Sequence, residues 1–202
     1  MNWPPSTCSV AFKEWAGICR ALTLGRQSVI LRKGGIAEDS GTFEPEHRAF
    51  WLYPTRLHEP VQGLREDVPG PEDAEPTEPG LVPIRALVTV DQVCRLSDFE
   101  RVRELEPLHV WTEETVRKRF EYRTPGLWVL GVRVWAWATA RRIAERPEYA
   151  GCRSWVPLHE GLSTEGLAPV LHEERHGEAM SQLTRALGPL VPDRTEGAGG
   201  AV

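Results

Sequence analysis

No stretch of the chain approaches the roughly 18 consecutive apolar residues that a membrane-spanning helix requires, so no span is expected. The first ten residues, Met1 to Val10, lack a basic start followed by an apolar run. No secretory signal and a cytoplasmic location are therefore expected. Cys8, Cys19, Cys94 and Cys152 form no CxxC pair, which argues against a zinc site of the usual spacing and for reduced thiols. No metal and no cofactor are expected. Lysine is scarce, with three against 21 arginines. Neither Glu-x-Lys nor Asp-x-Lys occurs, which removes the carboxylate–lysine half of a common nuclease set.

What is present is ordinary for a globular domain: 202 residues, 41 % apolar and 26 % charged, enough for one core. The formal net charge of −5 is unevenly spread. Between Glu66 and Gly80 lie Glu66, Asp67, Glu72, Asp73, Glu75 and Glu78 with no basic residue. This segment, interrupted by Pro69, Pro71, Pro76, Pro79 and Pro83, has too little apolar surface to pack and reads as a disordered loop over 66–83. By contrast, Arg117 to Arg142 is basic, with only Glu121 opposing seven cations. Such a patch attracts phosphates; it is equally a solvated helix face followed by a strand.

Val10 to Leu24 reads as a helix, because Phe12, Trp15, Ala16, Cys19 and Leu22 recur at helical spacing and Gly25 follows as a C-cap. Short apolar runs at Ser28–Leu31 and Phe50–Tyr53, and longer ones at Ile84–Val93 and Leu127–Ala138, read as strands. Thr112-Glu113-Glu114 is a helix start signal for a segment reaching about Phe120. Gly151–Leu158 enters a further strand, and Glu173–Leu187 is an amphipathic helix. The tail from 188 to 202 is low in complexity and expected to be disordered. Strands and helices do not alternate regularly, which argues against a doubly wound sheet. The expected class is α+β, a small mixed sheet or partly closed β-barrel flanked by helices, in one domain over residues 10–187.

The run His172-Glu173-Glu174-Arg175-His176 formally reads H-E-x-x-H. It lacks a downstream third ligand and apolar flanks, so a solvated helix start is the better reading. Trp135 and Trp137 share a strand face and Trp128 is near them; such a face suits stacked bases and a hydrophobic core alike.

Three strings stand out: Phe12-Lys13-Glu14-Trp15-Ala16 with Leu24-Gly25-Arg26-Gln27 and Ile30 to Ile36; Phe43-Glu44-Pro45-Glu46-His47-Arg48 running into Leu52-Tyr53-Pro54-Thr55 and His58; and Glu148 to Val156. Together they resemble DUF1802, a bacterial family of unknown function, over roughly residues 10 to 187. That resemblance implies a setting beside restriction-endonuclease-like domains, hence a possible protein partner of that kind and a nucleic-acid context. The Gly25-Arg26 and Arg32 pattern is similar to the opening of ASCH and other PUA-like domains, which implies a β-barrel that binds RNA or modified bases.

Arg32 and Lys33 precede Gly34-Gly35, and a Gly-Gly turn with two cations beside it makes an anion site. The expected ligand-binding set is Arg26, Arg32, Lys33, Gly34, Gly35, Arg48, Tyr53, Thr55, Arg153, Ser154 and Trp155. Within it Arg32, Lys33 and Arg48 face phosphate, and Tyr53 or Trp155 stacks on a base. The expected activity is non-enzymatic recognition of RNA, DNA or a nucleotide. The alternative is a phosphodiester-acting hydrolase using Glu46, His47 and His58, since an acid and an imidazole suit general acid–base work. On a strand, however, Glu46 and His47 would face opposite sides.

Overall fold

A computed structural model of the chain describes residues 4–33, 47–55, 63–65, 78–151 and 153–187. The elements in order are β1 (Thr7–Trp15), α1 (Ala16–Thr23), β2 (Val29–Arg32), β3 (Ala49–Thr55), β4 (Leu81–Leu96), α2 (Phe99–Arg103), α3 (Glu113–Glu121), β5 (Leu127–Ala144), β6 (Trp155–Ser163), β7 (Ala168–Pro169) and α4 (Glu173–Leu187). The strands form a mixed sheet in the order β2-β5-β4-β3-β1-β6, with β7 paired to β5 outside this path. β1 and β3 run parallel; the other pairings are antiparallel. None of the described helices is long and apolar enough to cross a membrane.

The helix expected from Val10 is a strand until Trp15. Phe12, Trp15 and Cys19 satisfy the helical period, but Phe12 and Glu14 also alternate with Ala11 and Lys13, and pairing with two strands decides the matter. Phe12 sits opposite Leu52 of β3 on one side and Trp155 of β6 on the other. The helix therefore starts only at Ala16 and stops where expected, with Gly25 at φ +68°, a conformation glycine adopts without steric cost. Leu81 to Pro83, read as the end of the acidic loop, instead open β4 opposite Ala144 to Arg142. Val82 supplies the reason, as it is buried in the core. Residues 66–77 of that loop and the tail from 188 lie outside the described residues. β2, β3, β5 and β6 and the helices α3 and α4 occupy the expected segments, with Thr112 capping α3 by accepting the Thr115 N–H at 3.4 Å; α2 and β7 were not expected.

The sheet buries both faces. On β3, Phe50 and Leu52 enter the larger apolar cluster together with Phe12, Leu130 and residues from every α-helix. Trp51 and Tyr53 enter a second cluster with Trp137, Tyr149 and Val156. α4 lies close on β5: a Cβ on Gly131 would come within 2.4 Å of Leu183 Cδ2. The sheet rolls without closing by backbone pairing among the described residues. Its two edges nonetheless meet through side chains. Arg32, the last residue of β2, donates from Nη2 to Ser154 Oγ at 2.7 Å, immediately before β6. This meeting place is where the cationic and aromatic residues gather.

Candidate functional site at the junction of the sheet edges

Strand alternation points Phe12 and Glu14 of β1 toward the guanidinium of Arg32, which lies 4.7 Å from the Phe12 ring centroid. Arg32 Nη1 is 3.6 Å from Glu14 Oε2, and the two side chains are 20 % and 2 % exposed. The other carboxylate oxygen accepts the Trp15 N–H at 2.8 Å, so the start of α1 fixes its direction. Phe12, Phe50 and Trp155 form an aromatic floor, with Phe12–Trp155 centroids 4.7 Å apart and Phe50–Trp155 5.2 Å apart. The His47 ring is packed edge-on against Trp155 at 4.9 Å.

A second guanidinium arrives from α3. Arg119 lies 4.4 Å from the Trp15 ring centroid and 4.1 Å from that of Trp111, and these indoles meet edge-to-face at 4.9 Å. Its one hydrogen bond, to the Leu31 carbonyl, is long at 3.5 Å, and it has no ion pair among the described residues. Burial draws the Arg119 pKa down to about 10; Glu14 opposes this shift and Arg32 adds to it. The group is still charged at neutral pH. Cation–π contact offsets part of the lost hydration, but it does not neutralise the charge. Trp111 is 1 % exposed, and its indole N–H has no acceptor among the described residues; the same holds for the buried N–H of Trp128. Trp128 pairs with Arg32 on one side and Arg95 on the other, which sets all three on one sheet face. The junction is thus rich in donors and poor in acceptors.

The expected ligand-binding residues divide. Arg32, Ser154 and Trp155 are brought together here. Ser154 also holds β1 in place, its carbonyl accepting the Lys13 N–H at 2.8 Å. Arg153 and Arg48 are exposed near this group. Lys33 is occupied: its ammonium donates to the carbonyls of Phe120 at 2.8 Å, Gly126 at 3.0 Å and Thr124. It ties β2 to the end of α3, and burial, then the Arg95 charge, lowers its pKa. Thr55 caps a backbone carbonyl, donating to Glu14 O at 3.3 Å. Tyr53 lies on the opposite sheet face, buried near Tyr149 at 6.3 Å between ring centroids, where burial pushes its hydroxyl pKa to about 12. Arg26 follows α1 at the other end of β2. Gly34, Gly35, Glu46, His58 and Cys152 lie outside the described residues.

Sequence reading did not select Glu14, Trp15, Trp111 or Arg119. The first two were assigned to a helix, and the last two are separated from Arg32 by some 80 residues or more of chain. Charge bookkeeping gave one usable hint, since Arg119 has no acidic residue four positions before or after it. Among the tryptophans picked out by sequence, Trp137 stacks on Trp51 at 4.6 Å in the core. Trp135 donates to Thr89 Oγ1 at 3.2 Å. The histidines of the formal H-E-x-x-H string do not converge on a metal. His176 Nε2 is 2.7 Å from Asp91 Oδ2, Glu173 is taken by Arg133 at 2.5 Å, and no group of three metal-ligating side chains occurs among the described residues.

A rolled mixed sheet with helices around it and a cationic, aromatic junction between its edge strands defines the molecule as an α+β domain built around one candidate site. The chain belongs to the family described as "Domain of unknown function (DUF1802)", whose model matches residues 11–182. Among solved structures, the crystal structure of ASCH from Zymomonas mobilis is similar at 14 % identity and a TM-score of 0.44, covering 87 % of this chain and 94 % of that one. A single-residue mutant of the same protein reaches a TM-score of 0.46 at 13 % identity, covering 85 % and 96 %. No curated protein matches this chain.

Proposed function

We propose that this protein is a non-enzymatic recognition module for a nucleic acid or nucleotide, held where β2 and β6 meet. The observation that carries this reading is Arg119: a charged guanidinium clasped by Trp15 and Trp111 with no carboxylate in ion-pair reach among the described residues. A partly buried cation in a purely structural role is normally paired, because an unpaired one keeps its desolvation cost. Here the acceptor is left to a ligand. Phosphate supplies the anionic oxygens and a base supplies the stacking face. A restriction-endonuclease-like partner and a cytoplasmic setting belong to this reading as its biological context.

The test is a titration of fluorescein-labelled single-stranded RNA and DNA at low salt, with the wild type and the variants Arg119→Met and Arg32→Ala, each checked by a thermal melt. Each lost charge-assisted contact is expected to cost about 1.5–3 kcal/mol of binding. The salt slope should fall by about 0.7 per phosphate contact on a single strand. A wild type that binds neither oligonucleotide at low salt ends the proposal.

A further inference from the structure

The cations near the junction fall into two groups. Those facing solvent are paired: Arg117 of α3 with Glu113 at 2.8 Å, Lys118 of α3 with Glu114 at 2.6 Å, and Arg103 of α2 with Glu113 at 3.6 Å. Three others, Arg119 on the inward side of α3, Arg123 just after it and Arg95 of β4, have no ion pair among the described residues. They surround the turn Tyr122–Gly126, which Lys33 fastens to β2 through Thr124 and Gly126, next to Arg32. The Arg95 guanidinium lies against Gly126, 3.3 Å from where a Cβ would stand.

Two features of this turn are unusual. Tyr122 is 53 % exposed, and it and Leu24 are the exposed large apolar side chains among the described residues. Arg123 adopts φ +58°, alone among the described non-glycine residues in having a positive φ. The position just after a helix end commonly takes this left-handed conformation and usually holds glycine. Here an arginine bears the steric cost and lays its guanidinium 5.1 Å from the Tyr122 ring centroid. Exposed tyrosine with unpaired arginines on either side is the composition of a stacking platform for a strand of nucleic acid.

From this we infer that the ligand is a single-stranded polymer, not a mononucleotide. One nucleotide sits at Arg119 and Arg32, and the strand continues over Tyr122, its flanking phosphates met by Arg123 and Arg95. This rests on the recognition function proposed above and adds a second subsite to it. A duplex cannot use the platform, because its bases are already stacked on one another.

The experiment compares uridine 5′-monophosphate, a uridine octamer and a 12-base-pair RNA duplex, titrated at 50 mM salt and followed by intrinsic tryptophan fluorescence and by competition with labelled octamer. The proteins are the wild type, Tyr122→Ala and Arg123→Gly; the latter removes the charge and relaxes the backbone together. The octamer is expected to bind at least tenfold more tightly than the monophosphate and more tightly than the duplex. Tyr122→Ala should weaken octamer binding by about fivefold or more, the effect of one lost base stack, and leave the monophosphate unchanged. Arg123→Gly should reduce the octamer's salt slope by about 0.7 without lowering the melting temperature. Equal affinities for octamer and monophosphate, a preference for duplex, or an octamer affinity indifferent to Tyr122→Ala overturns the second subsite while leaving recognition at Arg119 intact. Absence of binding by the wild type to all three overturns both.

Discussion

The two sides of α3 treat the same kind of residue differently. On the solvent-facing side, Arg117 and Lys118 meet Glu113 and Glu114 one turn earlier, an i,i+4 arrangement in water with the acid on the N-terminal side. On the inward side, Arg119 lies between Trp15 and Trp111, and just past the helix Arg123 lies on Tyr122. The first arrangement is satisfied by local sequence and needs nothing from outside. The second relies on aromatic faces from distant segments and leaves charge available. A patch of basic composition therefore says little about binding until its cations are sorted by partner.

The largest effect is expected from removing a wall of the second arrangement. Trp111 is fully enclosed in the main cluster, so Trp111→Ala should destabilise the fold by about 3–5 kcal/mol, read by urea denaturation. Trp111→Phe keeps most of the packing and deletes the N–H that lacks an acceptor. It should cost far less stability and, because that N–H is enclosed, leave nucleic-acid binding close to that of the wild type. Binding lost at unchanged stability would instead make the indole N–H part of the site.

Acid should loosen the same wall. His109 is 2 % exposed, and its Nδ1 accepts the Trp111 N–H at 3.2 Å, which requires that nitrogen to be unprotonated. The donor is the Trp111 backbone N–H, not its indole. Burial, then the Arg65 charge, lowers the His109 pKa to about 4. The unfolded chain, with a histidine near 6.5, binds a proton earlier as the pH falls. The contribution is thus fully present above about pH 6.5 and is lost progressively as pH falls toward 4. Its size is on the order of 3 kcal/mol. Urea midpoints at pH 7 and pH 4.5 should differ more in the wild type than in His109→Asn, whose side-chain oxygen can still accept. Equal pH dependence in the two would exclude His109 as the source.

Arg119→Met sharpens the comparison most directly. Methionine keeps much of the apolar stem and removes a charge that has no carboxylate partner, so stability should be unchanged or slightly raised. Affinity for the uridine octamer should meanwhile drop by about tenfold or more, following the 1.5–3 kcal/mol of a charge-assisted contact. A protein destabilised by several kcal/mol would instead make Arg119 a structural tie.

Much of the fold was legible in the sequence because the strand and helix signals of β2, β3, β5, α3 and α4 are local. β1 was misread because its apolar spacing fits two periods, and only pairing with β3 and β6 chooses between them. The opening of β4 was hidden by Pro83 and by the acidic residues before it, although Val82 has a core to enter. At the site, Arg32 and Ser154 were legible because a cation beside a glycine pair, and a polar residue in a distinctive string, are local features. Arg119 was not. Its role depends on Trp15, at the end of a strand taken for a helix, and on Trp111, whose segment carries no periodic signal. Lys33 shows the reverse: a local anion-site pattern whose ammonium is consumed by carbonyls beyond α3.

The smallest expected effect falls on the paired, solvent-facing side of α3. Glu114 and Lys118 are 76 % and 74 % exposed, so their attraction is screened by water and salt. The carboxylate pKa of Glu114 is lowered by its hydrogen bond to Lys118 and then by that charge. Lys118→Ala should leave the urea midpoint close to that of the wild type, and any difference should fade as salt is raised. It removes a formal positive charge from the basic segment, just as Arg119→Met does, and from the adjacent residue. If net charge governed binding, the two variants would weaken the octamer alike. If partner assignment governs it, Lys118→Ala should leave both the affinity and the salt slope within error of the wild type. A parallel loss in both variants would collapse the distinction between the two sides of the helix.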